Sequence, residues 1–309
     1  MAFRSLQGIV PPLVTPFRED ERIDCNAWQI IIDMLIGAGV DGLFTGGSQG
    51  EFYALDPEER TMALRFCRQA TAGRVPLFGN VGAVTTRETI RLAAQAEALG
   101  VDYLVVVTPY YIQPSRDELA EHYIDVCRAV RAPVLAYNYP HHGGVVLTPE
   151  VIARVAARCE NFVGMKDSGG DLAQTVAFRK AVTGRPFAVF NAHDHLVVSS
   201  LERGCAGAMV ASANVAPRLY IELYRAVREG KKEEAARLQA LAAELGAVVG
   251  LHTFPSVVKE AMGMVGYPAG PCRRPVSRLP AEARAAVSRV LERLGREGYL
   301  PKALKSLSA

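Results

Sequence analysis

Cysteine is present but never paired at short range: Cys25, Cys67, Cys127, Cys159, Cys205 and Cys272 contain no Cys-x-x-Cys spacing. Most fall in apolar helical patterns, which fits buried reduced thiols and argues against a disulfide framework or a structural zinc site. Long hydrophobic runs are missing too. No stretch is long enough to span a bilayer, and Met1–Gly8 shows no charged segment leading into an apolar one. Neither a membrane span nor a secretory leader is therefore expected, and the expected location is the cytoplasm. Charge of one sign is scarce. A net charge of +3 with 22% charged residues describes an ordinary water-facing surface, without the basic tract that a nucleic-acid binder needs. Glycine is absent where a dinucleotide site would need it, because the first apolar run leads into Thr15-Pro16-Phe17 rather than a glycine-rich loop.

What the chain does have is apolar material, half of all its residues, enough to bury a sizeable core. It is distributed in short runs: Gly8–Val14, Val40–Thr45, Pro76–Asn80, Tyr103–Thr108, Pro133–Tyr137, Phe162–Lys166, Pro186–Asn191 and Gly207–Ser212. These are aliphatic or β-branched with little polar alternation, as in parallel strands buried on both faces. Helices with readable start signals lie between them. Asp56-Pro57-Glu58-Glu59 and Thr148-Pro149-Glu150 place a cap, then proline, then acid in the first turn, and Ser115-Arg116-Asp117-Glu118 reads as a capping box. Gly39, Gly73, Gly100 and Gly204 stand where helices should end. An uninterrupted strand–helix series of this kind predicts an α/β fold, a (β/α)8 barrel over residues 1–228, with a doubly wound open sheet as the alternative. Beyond it no strand pattern returns. The helical stretches Lys231–Val249, Pro255–Met264 and Ala281–Gly295 predict a three-helix C-terminal extension over 229–309.

Active sites of such barrels lie at the C-terminal ends of the strands, and there the polar residues collect. Lys166 closes an apolar run, so its surroundings are partly apolar. Desolvation lowers an ammonium pKa and leaves free amine to attack a carbonyl. Tyr137 ends the neighbouring run, where a phenol can pass protons. The Gly46–Gly50 turn exposes backbone N–H groups suited to a carboxylate or phosphate, but it lacks the Gly-Lys-Ser/Thr ending of a nucleotide-binding loop.

Four segments taken together resemble the family of dihydrodipicolinate synthase and N-acetylneuraminate lyase, the pyruvate-dependent class I aldolases. They are Gly47-Ser48-Gln49-Gly50-Glu51, Thr108-Pro109-Tyr110-Tyr111, Tyr137-Asn138-Tyr139-Pro140 and Gly164-Met165-Lys166-Asp167-Ser168. The resemblance runs from about Gly8 to Asn214 and implies a lyase with Lys166 as the Schiff-base lysine and Tyr137 as the general acid/base above it. It further implies a proton relay of Ser48 with Tyr137 and Tyr111, and a substrate carboxylate held by the backbone amides of Ser48 and Gln49. In the family the residue matching Tyr111 comes from a neighbouring subunit, so a dimer at minimum is implied, and commonly a homotetramer built as a dimer of dimers. An iminium is its own electron sink, so no metal or organic cofactor is expected. The substrate-contacting set is expected to comprise Gly47, Ser48, Gln49, His142, Ala192, His193, Met209 and Ser212.

Departures from the family pattern narrow the substrate. Dihydrodipicolinate synthases carry an arginine that grips the carboxylate of aspartate semialdehyde, and His142 stands in its place, a weaker and pH-dependent anion clamp. Gln49 replaces the threonine usual in N-acetylneuraminate lyases. Gln49 and Phe52 look more like members acting on 2-keto-3-deoxy sugar acids or 4-hydroxy-2-oxoglutarate. The expected reaction is reversible cleavage of a 4-hydroxy-2-oxo acid to pyruvate and an aldehyde. The alternatives are 4-hydroxy-tetrahydrodipicolinate synthesis and Schiff-base dehydration or decarboxylation of a keto-deoxy sugar acid. Two rivals are of another kind: a zinc hydrolase using His141, His142, His193 and His195, and a sugar-acid binding protein without catalysis.

Overall fold

The computed structural model describes residues 6–301. Most of Met1–Gly8, where no secretory leader was expected, and the last residues of the C-terminal extension lie outside them. Eight parallel strands form the centre: β1 (Gly8–Ile9), β2 (Leu43–Thr45), β3 (Leu77–Asn80), β4 (Tyr103–Val107), β5 (Val134–Asn138), β6 (Phe162–Asp167), β7 (Ala188–Asn191) and β8 (Gly207–Ala208). Their order is β1-β8-β7-β6-β5-β4-β3-β2. A parallel bridge between Pro12 and Phe44, with Leu13 N–H donating to the Phe44 carbonyl, joins the chain after β1 to β2 and completes the circuit of a (β/α)8 barrel.

The first and last strands are shorter than their apolar runs. Residues 10–14 contain two prolines, which cannot donate ladder bonds, and Ala211–Asn214 winds into a 3-10 turn at the barrel rim. The helix signals act as read. Asp56 and Ser115 each form a complete capping box, and Thr148 accepts from Val151 N–H. All six cysteines are free thiols, four of them buried.

Alternation along the strands separates two apolar populations. Leu43, Leu77, Leu104, Val106, Val134, Ala136 and Val189 face the helices and join a continuous core that also takes in Leu238, Leu245, Val258, Met262 and Leu291 of the C-terminal helices. Those helices are Lys232–Val249, Ser256–Met264 and Ala281–Arg296. Phe44, Phe78, Val105, Val107, Leu135, Tyr137, Phe190 and Met209 fill the barrel interior. Register then fixes the direction of the sixth strand's end. Lys166 is paired with Tyr137 on one side and Phe190 on the other. Parallel neighbours in register share a face, so the lysine points into the interior. Among the described residues no helix is long and apolar enough to cross a membrane.

Candidate active site

Lys166 is 4% exposed. Its ammonium nitrogen lies 4.3 Å from the centre of the Tyr137 ring and 5.1 Å from that of Phe44. Burial alone pulls its pKa down to about 7, so near neutrality a large share of this amine is uncharged and nucleophilic. Asp167, the next residue, faces the other way. Its carboxylate accepts from Asn138 Nδ2 at 2.8 Å, the Gly169 amide at 3.0 Å and Thr175 Oγ1 at 2.6 Å. These bonds satisfy Asp167 locally and clamp β5 to β6, which fixes the base of the Lys166 side chain without giving it a counter-ion.

Tyr137 is 2% exposed, and burial raises its phenol to about 12 while hydrogen bonds from Ser48 and Ser168 pull the other way. The phenol therefore stays protonated at neutral pH, able to donate a proton and take one back. Ser48 Oγ lies 3.3 Å from its hydroxyl, and Tyr139 stacks on its ring at 5.6 Å. Ser48 opens a short 3-10 turn, Ser48–Gly50. The N–H groups at the start of such a turn have no partner within it, so those of Ser48 and Gln49 stand free for an anion. Glycine is required just before the turn. Gly46 has φ 67°, and a Cβ on Gly47 would come within 2.7 Å of the Phe44 ring. Asn80 Nδ2 holds the turn by donating to the Gly46 carbonyl at 2.8 Å.

A cavity of about 180 Å³ opens over Lys166. Its lining brings together six residues expected from the sequence: Lys166, Tyr137, Gln49, Ala192, His193 and Met209. Gln49 is buried and neither atom of its carboxamide has a hydrogen-bond partner; the same holds for His193 Nε2. Ser48 reaches the site through Tyr137, and Gly47 shapes the turn behind it. Ser212 lies to one side, fully buried beside Asp194 and Tyr220. His142 is an exposed rim residue tilted against Tyr139 at 4.6 Å, its pKa lowered by burial and by neighbouring His141. Tyr111 is 96% exposed with φ 73° and does not line the cavity of its own chain. Among the described residues no group of three or more histidine, cysteine, aspartate or glutamate side chains is arranged to hold a metal ion.

Sequence reasoning missed several lining residues. Asp194 is half-buried; its carboxylate accepts from Tyr220 Oη at 2.5 Å, and desolvation raises its pKa to about 6. The polar cluster His193-Asp194-His195 signalled it. Gly246, Val249 and Phe254 come from the C-terminal extension, far from any strand end, and carry no local signal.

Comparison with known proteins agrees with this geometry. The profile of the Dihydrodipicolinate synthetase family matches residues 5–294. The probable 2-dehydro-3-deoxy-D-pentonate aldolase YjhH of Escherichia coli (strain K12) is 37% identical over 96% of this chain and 99% of its own length. The 4-hydroxy-tetrahydrodipicolinate synthase of Archaeoglobus fulgidus is 34% identical over 93% and 98%. YagE, a prophage protein of the dihydrodipicolinic acid synthase family from E. coli K12, solved in complex with pyruvate, superposes with a TM-score of 0.91 at 34% identity, covering 94% of this chain and 99% of that one. Barrel, strand-end residues and full-length similarity thus coincide: the chain belongs to the dihydrodipicolinate synthetase family and is a pyruvate-dependent class I lyase or aldolase.

Proposed function

We propose that this enzyme cleaves a 4-hydroxy-2-oxo acid of the 2-keto-3-deoxy sugar acid type to pyruvate and an aldehyde, reversibly, through a Schiff base on Lys166. The observation that carries the reading is a buried lysine with no ion-pair or hydrogen-bond partner among the described residues, beside a protonated phenol.

The steps follow from that arrangement. The free amine of Lys166 attacks the C2 carbonyl, and loss of water leaves an iminium. Tyr137, acting as phenolate after passing its proton to the departing water, takes the proton of the C4 hydroxyl. The C3–C4 bond breaks, its electron pair moves into the iminium to form an enamine, and the aldehyde leaves. Protonation at C3 restores the iminium, which water hydrolyses to pyruvate and free Lys166. The amides of Ser48 and Gln49 hold the C1 carboxylate, and no step runs through a metal or cofactor. Ser48 links Tyr137 to a relay completed by Tyr111 of a second copy. The near-complete exposure of Tyr111 supports that exchange, and a homotetramer assembled as a dimer of dimers accommodates it.

Two features favour a sugar acid. Among the described residues that line it there is no arginine and no second lysine, so a distal carboxylate finds no cation. Gln49 and His193 offer unpaired polar atoms to hydroxyl groups. The relative named as a 2-dehydro-3-deoxy-D-pentonate aldolase points the same way. The synthase-named relative favours a second reading, condensation of pyruvate with aspartate semialdehyde, against which the missing arginine weighs.

The test is intact mass after incubation with pyruvate and sodium borohydride, followed by an aldehyde and keto-deoxy sugar acid screen. A pyruvate-sized adduct in the wild type that is lost in Lys166→Ala supports the Schiff base, and no adduct in the wild type overturns it. Turnover of aspartate semialdehyde in preference to sugar acids would move the assignment to the second reading. An unchanged substrate profile in His193→Ala would remove that histidine from substrate recognition.

A further inference from the structure

Behind the carboxylate-binding turn lies a second buried lysine that the mechanism does not use. Lys259, on the C-terminal helix Ser256–Met264, donates to Glu51 Oε1 at 2.8 Å and to the Thr15 carbonyl at 2.8 Å. The side chains of this pair are 1% and 0% exposed. The other carboxylate oxygen of Glu51 accepts from the Arg273 amide at 3.0 Å. Both ends of Glu51 are therefore held by residues of the extension.

Glu51 has φ 54°, a left-handed conformation uncommon for any residue but glycine, asparagine or aspartate. It is also the residue that ends the Ser48–Gly50 turn, its own N–H donating to the Ser48 carbonyl at 3.1 Å. Thr15, the other acceptor of Lys259, donates its hydroxyl to the Gly50 carbonyl at 2.7 Å. Both partners of the ammonium are thus bonded directly to the turn that carries Ser48 and Gln49. A buried ion pair seldom adds stability over apolar residues of equal volume, so its location, one bond behind the turn, is the informative feature.

We propose that Lys259 is a positioning residue: through Glu51 and Thr15 it sets the backbone of the Ser48–Gly50 turn, so that the extension is a working part of the active site. The inference rests on the reading of that turn as the carboxylate site. Without the ammonium, the buried Glu51 carboxylate must take up a proton or move toward water. Either change is passed to the Ser48 carbonyl and to the amides that face the substrate.

The test uses the full-length chain and pyruvate as probe, with borohydride trapping measured against pyruvate concentration well below the melting temperature. In Lys259→Met the half-saturating pyruvate concentration is expected to rise at least tenfold, while the pH dependence of trapping at saturating pyruvate, which reports Lys166, stays unchanged. Lys259→Arg, which keeps the charge, is expected to recover most of the affinity. If Lys259→Met does not accumulate as folded protein, the double variant Glu51→Gln, Lys259→Met, which leaves no unpaired buried charge, carries the same expectation. A folded variant with lowered melting temperature but unchanged half-saturation overturns the proposal and makes the pair purely structural. Absence of an adduct in the wild type itself would instead overturn the Schiff-base reading beneath it.

Discussion

Lys166 and Lys259 make an instructive pair. Both are buried, at 4% and 2% exposure, and both ammonium nitrogens sit over an aromatic ring, Tyr137 at 4.3 Å and Phe17 at 4.4 Å. They differ in what else they touch. Lys166 has no anion, and burial acts on it unopposed. Burial lowers Lys259 as well, but Glu51 opposes the shift, and the Lys259 nitrogen donates to both Glu51 and the Thr15 carbonyl. Burial alone thus makes a lysine into a nucleophile, and burial with a carboxylate makes it into a pin. The neighbouring residues enforce the distinction: Asp167, one position from Lys166, is turned away and saturated by Asn138, Gly169 and Thr175.

The sharpest way to break this comparison is to remove the proposed nucleophile. Lys166→Ala is expected to lower kcat by at least ~10⁴-fold, as losing the covalent group does in other enzymes, and to abolish the borohydride adduct by mass. Tyr137→Phe keeps the ring beneath the lysine and removes only the proton carrier; a loss of ~10²–10⁴-fold in kcat is expected, with cleavage assays as the measure. Lys259→Met leaves Glu51 buried and unpaired, which costs about 3–5 kcal/mol, and denaturant unfolding should register it.

The opposite sign is expected at Lys166. Its folded pKa of about 7 lies below the ordinary 10.5, so between these values the unfolded chain binds the extra proton. The stability penalty is full below pH 7 and fades as pH rises toward 10.5. Lys166→Met should therefore be more stable than wild type by ~2–4 kcal/mol at neutral pH, with the gap closing by pH 10. A wild type that gains nothing on the variant as pH rises would contradict the desolvated amine. The same ionisation should make pyruvate trapping rise about tenfold per pH unit below 7 and level off above it. The smallest effect is expected at the rim of the clamp. Arg273 pairs with Glu59 at 2.5 Å, but both side chains are partly exposed, at 15% and 26%, and Glu59→Gln should cost about 1 kcal/mol or less.

Much of this was legible from local pattern. Eight buried apolar runs with caps at Asp56, Ser115 and Thr148 predict the barrel because strand burial and helix capping depend on residues within a few positions of one another. Lys166 and Tyr137 were readable because each closes a strand, and the strand end is where a barrel concentrates its chemistry. His142 was read as a substrate contact from its place in a motif, yet it stands exposed against Tyr139, because the short helical turn Pro140–Gly143 carries it to the rim.

The order of residues by itself determined the barrel and singled out Lys166 and Tyr137 as candidates for nucleophile and proton carrier, since hydrophobic period and strand termini are properties of short segments. Only the tertiary structure decided that Lys166 lies over Tyr137 and Phe44 without a counter-ion. Only it showed that Gly246, Val249 and Phe254 close the cavity, and that Glu51 finds Lys259 at a separation of 208 residues. Such partners meet through packing of the extension on the barrel rim, and no spacing along the chain records a contact made by folding back over that distance.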